Sequence, residues 1–399
     1  MSSTPSATLV LVATLTVQSL VAMALLTLPV VAPAVAGSLG ISAAYVGLYI
    51  ALAYAGAMTA SLLAGGAVRR FGAIRSSQIG LLLCGTGVAV CTIESPVAMA
   101  IGAVLVGMGY GPITPASSHL LVKSTPAHRM SLVFSIKQTG VPLGGVLAGI
   151  IVPSLAEATS WQWAFLAVAA ANLLCAMAIQ PLCAALDADK DGKQRISVGN
   201  GLAGPLRLVF SHRSLTVLAA VSFLFSITQL SLTTYLVTFL HEDLGMGLIV
   251  AGFVLAIAQA AGVAGRLLWG YVADRYLGPS NMLAVLAILI ALCGIATALL
   301  QYTDSMLLLI VVLSVFGSSA VGWNGVYLAE VARQAPKGQA SMATGGTLAM
   351  TFLGVVIGPP LFGLVAGTFG SYSLAYATLI IPAGLCLWLL LRYRSAFVT

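Results

Sequence analysis

Two basic side chains stand apart from the other charges in this sequence: Lys137 and Arg266 lie inside long apolar runs, while the remaining Lys and Arg occupy short polar gaps. A charge at the centre of a membrane-crossing helix costs on the order of 2.5 to 3.5 kcal/mol, so two retained cations point to a use. Anion binding is a use that suits both, with snorkelling to the interface or a gate contact as the other reading of Arg266. An ammonium offers a compact point charge, and a guanidinium matches a carboxylate through two parallel hydrogen bonds. Ser135, Gln138 and Thr139 beside Lys137 argue for a wet cavity around it rather than lipid. Lys137 lies about six residues inside one end of its run and Arg266 about eight residues before Asp274, which at about 1.5 Å per residue gives comparable depth.

Uncharged polar residues in other apolar runs extend the candidate set. Gln138, Tyr54, Gln259, Trp323 and Asn324 are taken with Lys137 and Arg266 as substrate-binding residues. Gln18, Tyr49, Tyr110, Gln229 and Tyr235 are further positions where a polar group lies within a span. His119 reads as interfacial rather than as a proton relay. The six cysteines sit in or at the ends of apolar runs without metal-ligand spacing, so they read as packing residues, and neither metal nor cofactor is expected.

The elements that position these residues must be membrane helices. The chain of 399 residues is 60% hydrophobic and 7% charged, against roughly 25% charged in soluble domains. A bilayer core about 30 Å thick needs roughly 20 apolar residues per helix. Runs of that kind occur at 9–36, 42–66, 77–93, 97–121, 131–154, 162–184, 215–240, 247–272, 281–300, 306–329, 341–368 and 373–391. The first run is too long for a signal-peptide core, so it is expected to stay as a helix. One long polar gap, 185–214, divides the chain into bundles at 1–184 and 215–399 and is expected to be a partly helical, solvated linker. The net charge of +7 does not indicate nucleic acid, because the basic residues lie between spans rather than on one soluble surface.

Fifteen of the seventeen Lys and Arg fall on one side of this pattern, and the opposite loops carry only acids and His241. Lys and Arg in short loops stay cytoplasmic, so both termini and the linker are expected in the cytoplasm. The halves also resemble each other. An offset of 205 aligns Gly40 with Gly245, Gly47 with Gly252, Ala51 with Ala256 and Arg70 with Arg275, and an offset of 210 aligns Gly107 with Gly317 and Pro126 with Pro336.

The loop after the eighth run has Gly270, three residues, then Asp274 and Arg275, and the loop after the second repeats it as Gly65, Arg69, Arg70, Gly72 and Arg75. This resembles the cytoplasmic signature of the major facilitator superfamily, with Arg69 where an Asp is usual. The resemblance implies an all-α fold of twelve transmembrane helices in two six-helix bundles. It also implies that Asp274, Arg275, Arg69, Arg70, Glu330 and Arg333 serve gating at the membrane edge. The fifth and eighth helices of that family meet across a cavity, so Lys137 and Arg266 would share one site for an organic anion. Arg266, Gly270 and Asp274 at intervals of four resemble the eighth helix of the oxalate/formate and monocarboxylate branches, whose Arg binds carboxylate.

A membrane enzyme would need a convergent catalytic set, and none is visible. A fixed channel fits poorly with two homologous halves that each carry a loop signature. The sequence therefore predicts a monomeric secondary transporter in the cell (inner or plasma) membrane that moves a small carboxylate-type anion by alternating access, with proton symport as the coupling. Anion exchange, or efflux of drugs or metabolites, is the alternative. No Asp or Glu lies mid-span, which tells against cationic drugs.

Overall fold

A computed structural model describes residues 6–126, 130–193, 203–337 and 339–393. Among them are twelve helices long and apolar enough to cross a membrane, from Ala7–Leu26 to Tyr372–Arg392, and there is no strand. Arg129, Arg195 and Arg394, which entered the basic-residue split, lie outside the described residues, as does 194–202 of the expected linker.

The first apolar run is not one helix. It stops at Leu26, continues as a 3₁₀ turn at Pro29–Val31, and restarts as Ala32–Leu39. Pro33 supplies the reason, because it has no N–H to give the carbonyl of Pro29 and its ring clashes there.

The chain forms two compact units. One holds Met1–Gly40 with Leu52–Gly199, and the other holds Ile41–Ala51 with Asn200–Thr399. Within the second unit, the start of the second span is tied in by Tyr235, whose hydroxyl donates to the carbonyls of Ala44 and Pro359 at 2.7 and 3.0 Å.

The repeat seen in sequence reappears as packing inside each unit. In the first, Gly107 of the fourth span lies so close to the carbonyl of Ala53 that a Cβ could not fit. In the second, Gly317 of the tenth span has the same relation to Ala258. Small residues let membrane helices approach at backbone distance, where dispersion contacts replace the missing hydrophobic drive.

Several spans are interrupted within their length, and three of these breaks lie beside polar residues of the candidate set. The fourth span consists of Pro96–Tyr110 and Ile113–Ser124, the fifth of Met130–Gln138 and Gly140–Ala158, and the tenth of Met306–Ala320 and Asn324–Gln334. Prolines account for the first two. Pro115 cannot bond back to Gly111, and Ser61 Oγ takes that carbonyl instead at 3.0 Å. Pro142 likewise leaves the carbonyl of Gln138 without its helical donor, and the chain turns at Thr139. Broken backbone at membrane depth is tolerated where protein or a water-filled cavity surrounds it, and breaks at matching places in two halves point to a transporter's binding site.

The segment expected to be a solvated linker is only partly so. It contains Ala203–Ser211 as a helix, but Asp187 at its start is 3% exposed. Its carboxylate accepts the N–H groups of Ile74 and Arg75 at 2.8 and 2.9 Å and so caps the helix Ala73–Cys91. A carboxylate is favoured there because a helix N-terminus carries unpaired donors and a partial positive charge. Gly72 is required beside it: φ is +97°, and a Cβ would collide with the Asp187 side chain.

Candidate functional site

In the first unit, polar groups gather at the breaks in the fourth and fifth spans. Lys137 ends the helix Met130–Gln138 and is 1% exposed. Its ammonium donates to Thr114 Oγ1 at 3.2 Å and reaches Gln138 Oε1 at 3.5 Å. Thr114 stands just past the break in the fourth span, and its hydroxyl donates onward to Gln18 Oε1 at 3.3 Å. Gln18 is fully buried in the first span, and its Nε2 has no hydrogen-bond partner among the described residues. A buried amide without a partner costs about 1 to 3 kcal/mol, a penalty that a bound acceptor would remove. The structure thus joins Lys137 and Gln138 with Gln18, and adds Thr114, which the sequence reading passed over. Tyr54 is buried, with its ring 6.0 Å from that of Tyr110.

The second unit repeats the pattern with different side chains. Gln229 Oε1 accepts from the indole N–H of Trp323 at 2.9 Å and from Asn324 Nδ2 at 3.3 Å. Trp323 and Asn324 lie at the break in the tenth span, where Asn324 opens the helix Asn324–Gln334. Trp323 is 0% exposed and packs on Phe225 and Tyr327 with ring centroids 5.4 and 5.2 Å away. It therefore holds Gln229 rather than presenting its own surface. Arg266 also reaches this break: its Nε donates to the carbonyl of Val321 at 3.2 Å. Val321 is the C-cap residue of Met306–Ala320, so Arg266 satisfies a carbonyl at a helix C-terminus, where a cation is favoured. Gln259 is buried, and its Oε1 lacks a hydrogen-bond partner among the described residues.

The residues expected to gate fall into three settings. Glu330 is 0% exposed and accepts from Ser280 Oγ at 2.8 Å, from Gln334 Nε2 at 2.9 Å, and from Arg333 through a two-point contact at 2.8 and 2.9 Å. This ties the tenth span to the first turn of Pro279–Leu299. Asp274 and Arg275 are exposed in a π-helical turn, Ala273–Leu277, and neither makes a salt bridge among the described residues. Arg69 and Arg70 are exposed. The carbonyl of Arg69 accepts from the Asp191 N–H at 2.8 Å, and the Arg70 guanidinium lies 5.5 Å from the Phe71 ring centroid.

The strap that begins at Asp187 gains a second anchor at Asp189, which pairs with Lys123 and lies 2.8 Å from His119 Nε2. The hydrogen bond from Lys123 holds the Asp189 carboxyl below its ordinary range against a smaller opposing effect of burial, with His119 acting in the same direction as Lys123. His119 is thus a member of this surface cluster.

A sequence model described as Major Facilitator Superfamily matches residues 14–346. The chain is similar to a gentisate transporter of Corynebacterium glutamicum, 27% identical over 309 residues that span 73% of this chain and 67% of the relative. It is similar as well to a hexuronate transporter of Bacillus subtilis, 23% identical over 365 residues, 88% of this chain and 85% of the relative. Among solved structures, a bacterial homolog to the human lysosomal transporter Spinster superposes with a TM-score of 0.74 at 16% identity, covering 99% of this chain and 97% of that one, which is a likeness of fold. Twelve spans in two repeated halves and a family match over most of the length identify this all-α, polytopic protein as a transporter and not an enzyme: the chain belongs to the Major Facilitator Superfamily.

Proposed function

We propose that this protein carries a small organic carboxylate across the cell membrane by alternating access, with Lys137 and Arg266 as its cationic contacts. The observation that carries the reading is Lys137 itself. It is an ammonium buried at a helix break, where it donates to Thr114, and Thr114 links it to Gln18, whose buried amide nitrogen has no hydrogen-bond partner among the described residues. Such donors suit an anion, whose charge offsets the cost of keeping an ammonium out of water. Gentisate and hexuronate, the cargoes named for two relatives, are both carboxylates. Proton symport by a monomer is the mode we favour, and cytoplasmic termini fit the basic-residue split.

Thermal-shift and binding measurements on the purified protein test the substrate class. Aromatic carboxylates and hexuronates should stabilise it, while their amides and cationic drugs should not. Stabilisation by the amides to the same degree would remove the anion from the reading.

A further inference from the structure

Gln229 lies near the middle of the seventh span, Arg213–Glu242, and its amide orientation is settled by chemistry. The indole N–H of Trp323 can only donate, so the Gln229 atom 2.9 Å from it must be the oxygen. Asn324 Nδ2 donates to the same oxygen at 3.3 Å. The amide nitrogen is therefore turned the other way. It makes no hydrogen bond among the described residues and, unlike Gln18 Nε2, it is not sealed from solvent, since Gln229 is half-buried and absent from the buried, unsatisfied groups. An unpaired donor facing hydrocarbon at that depth would be costly, so it faces water or a ligand.

The repeat adds an independent pointer. An offset of 211 carries Gln18 onto Gln229, and an offset of 210 carries Thr114 onto Asn324. In each unit the residue after the break in the fourth helix donates to the oxygen of a glutamine on the first helix. In both, the amide nitrogen has no hydrogen-bond partner among the described residues. In the first unit it is buried beside Lys137, and in the second it is open.

We propose that Gln229 reads the substrate by donating its Nε2–H to an oxygen of the bound anion, and that Trp323 is the positioning residue that keeps this donor outward. This rests on the carboxylate reading above. Gln229 supplies direction rather than charge: an N–H held in one orientation discriminates between an acceptor and a donor on the substrate. Trp323 acts only through Gln229, because its own side chain is enclosed.

Gln229→Glu tests the assignment with little risk to folding, since the new carboxylate still accepts from Trp323 and Asn324 while the outward donor becomes an acceptor. Binding of gentisate and of a hexuronate to the detergent-purified protein should weaken about 10- to 100-fold at neutral pH, the equivalent of one charge-assisted hydrogen bond lost. Part of the loss should return as the pH falls towards about 4, where the new carboxyl takes up a proton and donates again. Trp323→Phe should weaken binding about 2- to 10-fold without a pH-dependent recovery. Wild-type affinity in Gln229→Glu, alongside weakened binding in Lys137→Ala, would overturn this assignment alone. If no carboxylate binds the wild-type protein, the anion reading falls and this inference falls with it.

Discussion

Thr114 and Asn324 occupy equivalent points of the two halves, 210 residues apart, and each donates a hydrogen bond to the amide oxygen of a glutamine in its own unit. Thr114 does more than Asn324, because its hydroxyl also accepts from Lys137 at 3.2 Å. It couples the only buried ammonium among the described residues to the otherwise unpartnered amide of Gln18. Thr114→Val keeps the shape and removes the hydroxyl. Carboxylate affinity should fall about 2- to 10-fold, the worth of one neutral hydrogen bond. Isothermal titration with the stabilising carboxylate checks this, and a loss of folded protein instead would assign Thr114 to the scaffold.

The two cations should respond differently to substitution. Lys137→Ala should cost carboxylate binding about 10- to 100-fold while the protein still folds, since it removes a charged donor. Arg266→Lys keeps the charge but loses the planar fork and the Nε contact to the Val321 carbonyl, so transport should fall steeply despite the conserved charge. Unaltered substrate affinity in both variants would remove these residues from the site.

Asp187 stands where the sequence pattern suggests nothing of the kind. Asp187→Ala should destabilise the protein by about 0.5 to 2 kcal/mol, the usual cost of losing a helix cap, because two backbone N–H groups of Ile74 and Arg75 lose their acceptor. Asp189 is more exposed and contributes about 1 kcal/mol or less. Its carboxyl titrates lower in the folded protein, so its contribution is complete above the ordinary value of 3.8 and is lost as the pH falls through the depressed folded value. Melting temperatures of Asp189→Asn and wild type should therefore differ slightly at neutral pH and converge under strong acid.

Much of this was readable in the chain because membrane helices declare themselves by length and composition. The twelve spans and the pairing of Gly107 with Gly317 depend on local sequence and a constant offset. The interrupted helices were less visible, since an apolar run continues through Gly111, Pro112 and Val321 without a polar marker. Trp323 and Asn324 stand out in the sequence as polar groups within a span, yet their partner Gln229 is 94 and 95 residues away, so their shared bond to it needed coordinates. Asp187 reads as one acid in a charged linker. Only folding brings it to the N-terminus of Ala73–Cys91, the same loop that carries Arg69 in place of the usual Asp.

The topology follows from the basic residues and can be checked from outside the cell. A cysteine placed at Gly192 should resist a membrane-impermeant thiol reagent, and one placed at Glu242 should react. Both positions are chosen for their loops: Gly192 lies in the charged segment after the sixth span, and Glu242 ends the seventh. The reverse labelling would invert the proposed orientation.

Energy coupling is the sharpest remaining test, because the acids that survive in the spans are committed elsewhere. Glu330 is buried at the end of the tenth span, but Arg333, Ser280 and Gln334 already occupy its oxygens. A proton then has two routes: it rides on the substrate carboxyl, or it is exchanged at the buried Lys137. The second route eases return of the empty carrier, since it removes the charge of the one buried ammonium among the described residues. A pH gradient, acid outside, should therefore drive gentisate or hexuronate into proteoliposomes that contain no internal substrate, and a protonophore should collapse the accumulation. Lys137→Gln should keep exchange of substrate for substrate but lose the gradient-driven accumulation. Uptake by the wild-type protein only into vesicles preloaded with an anion would replace symport with exchange.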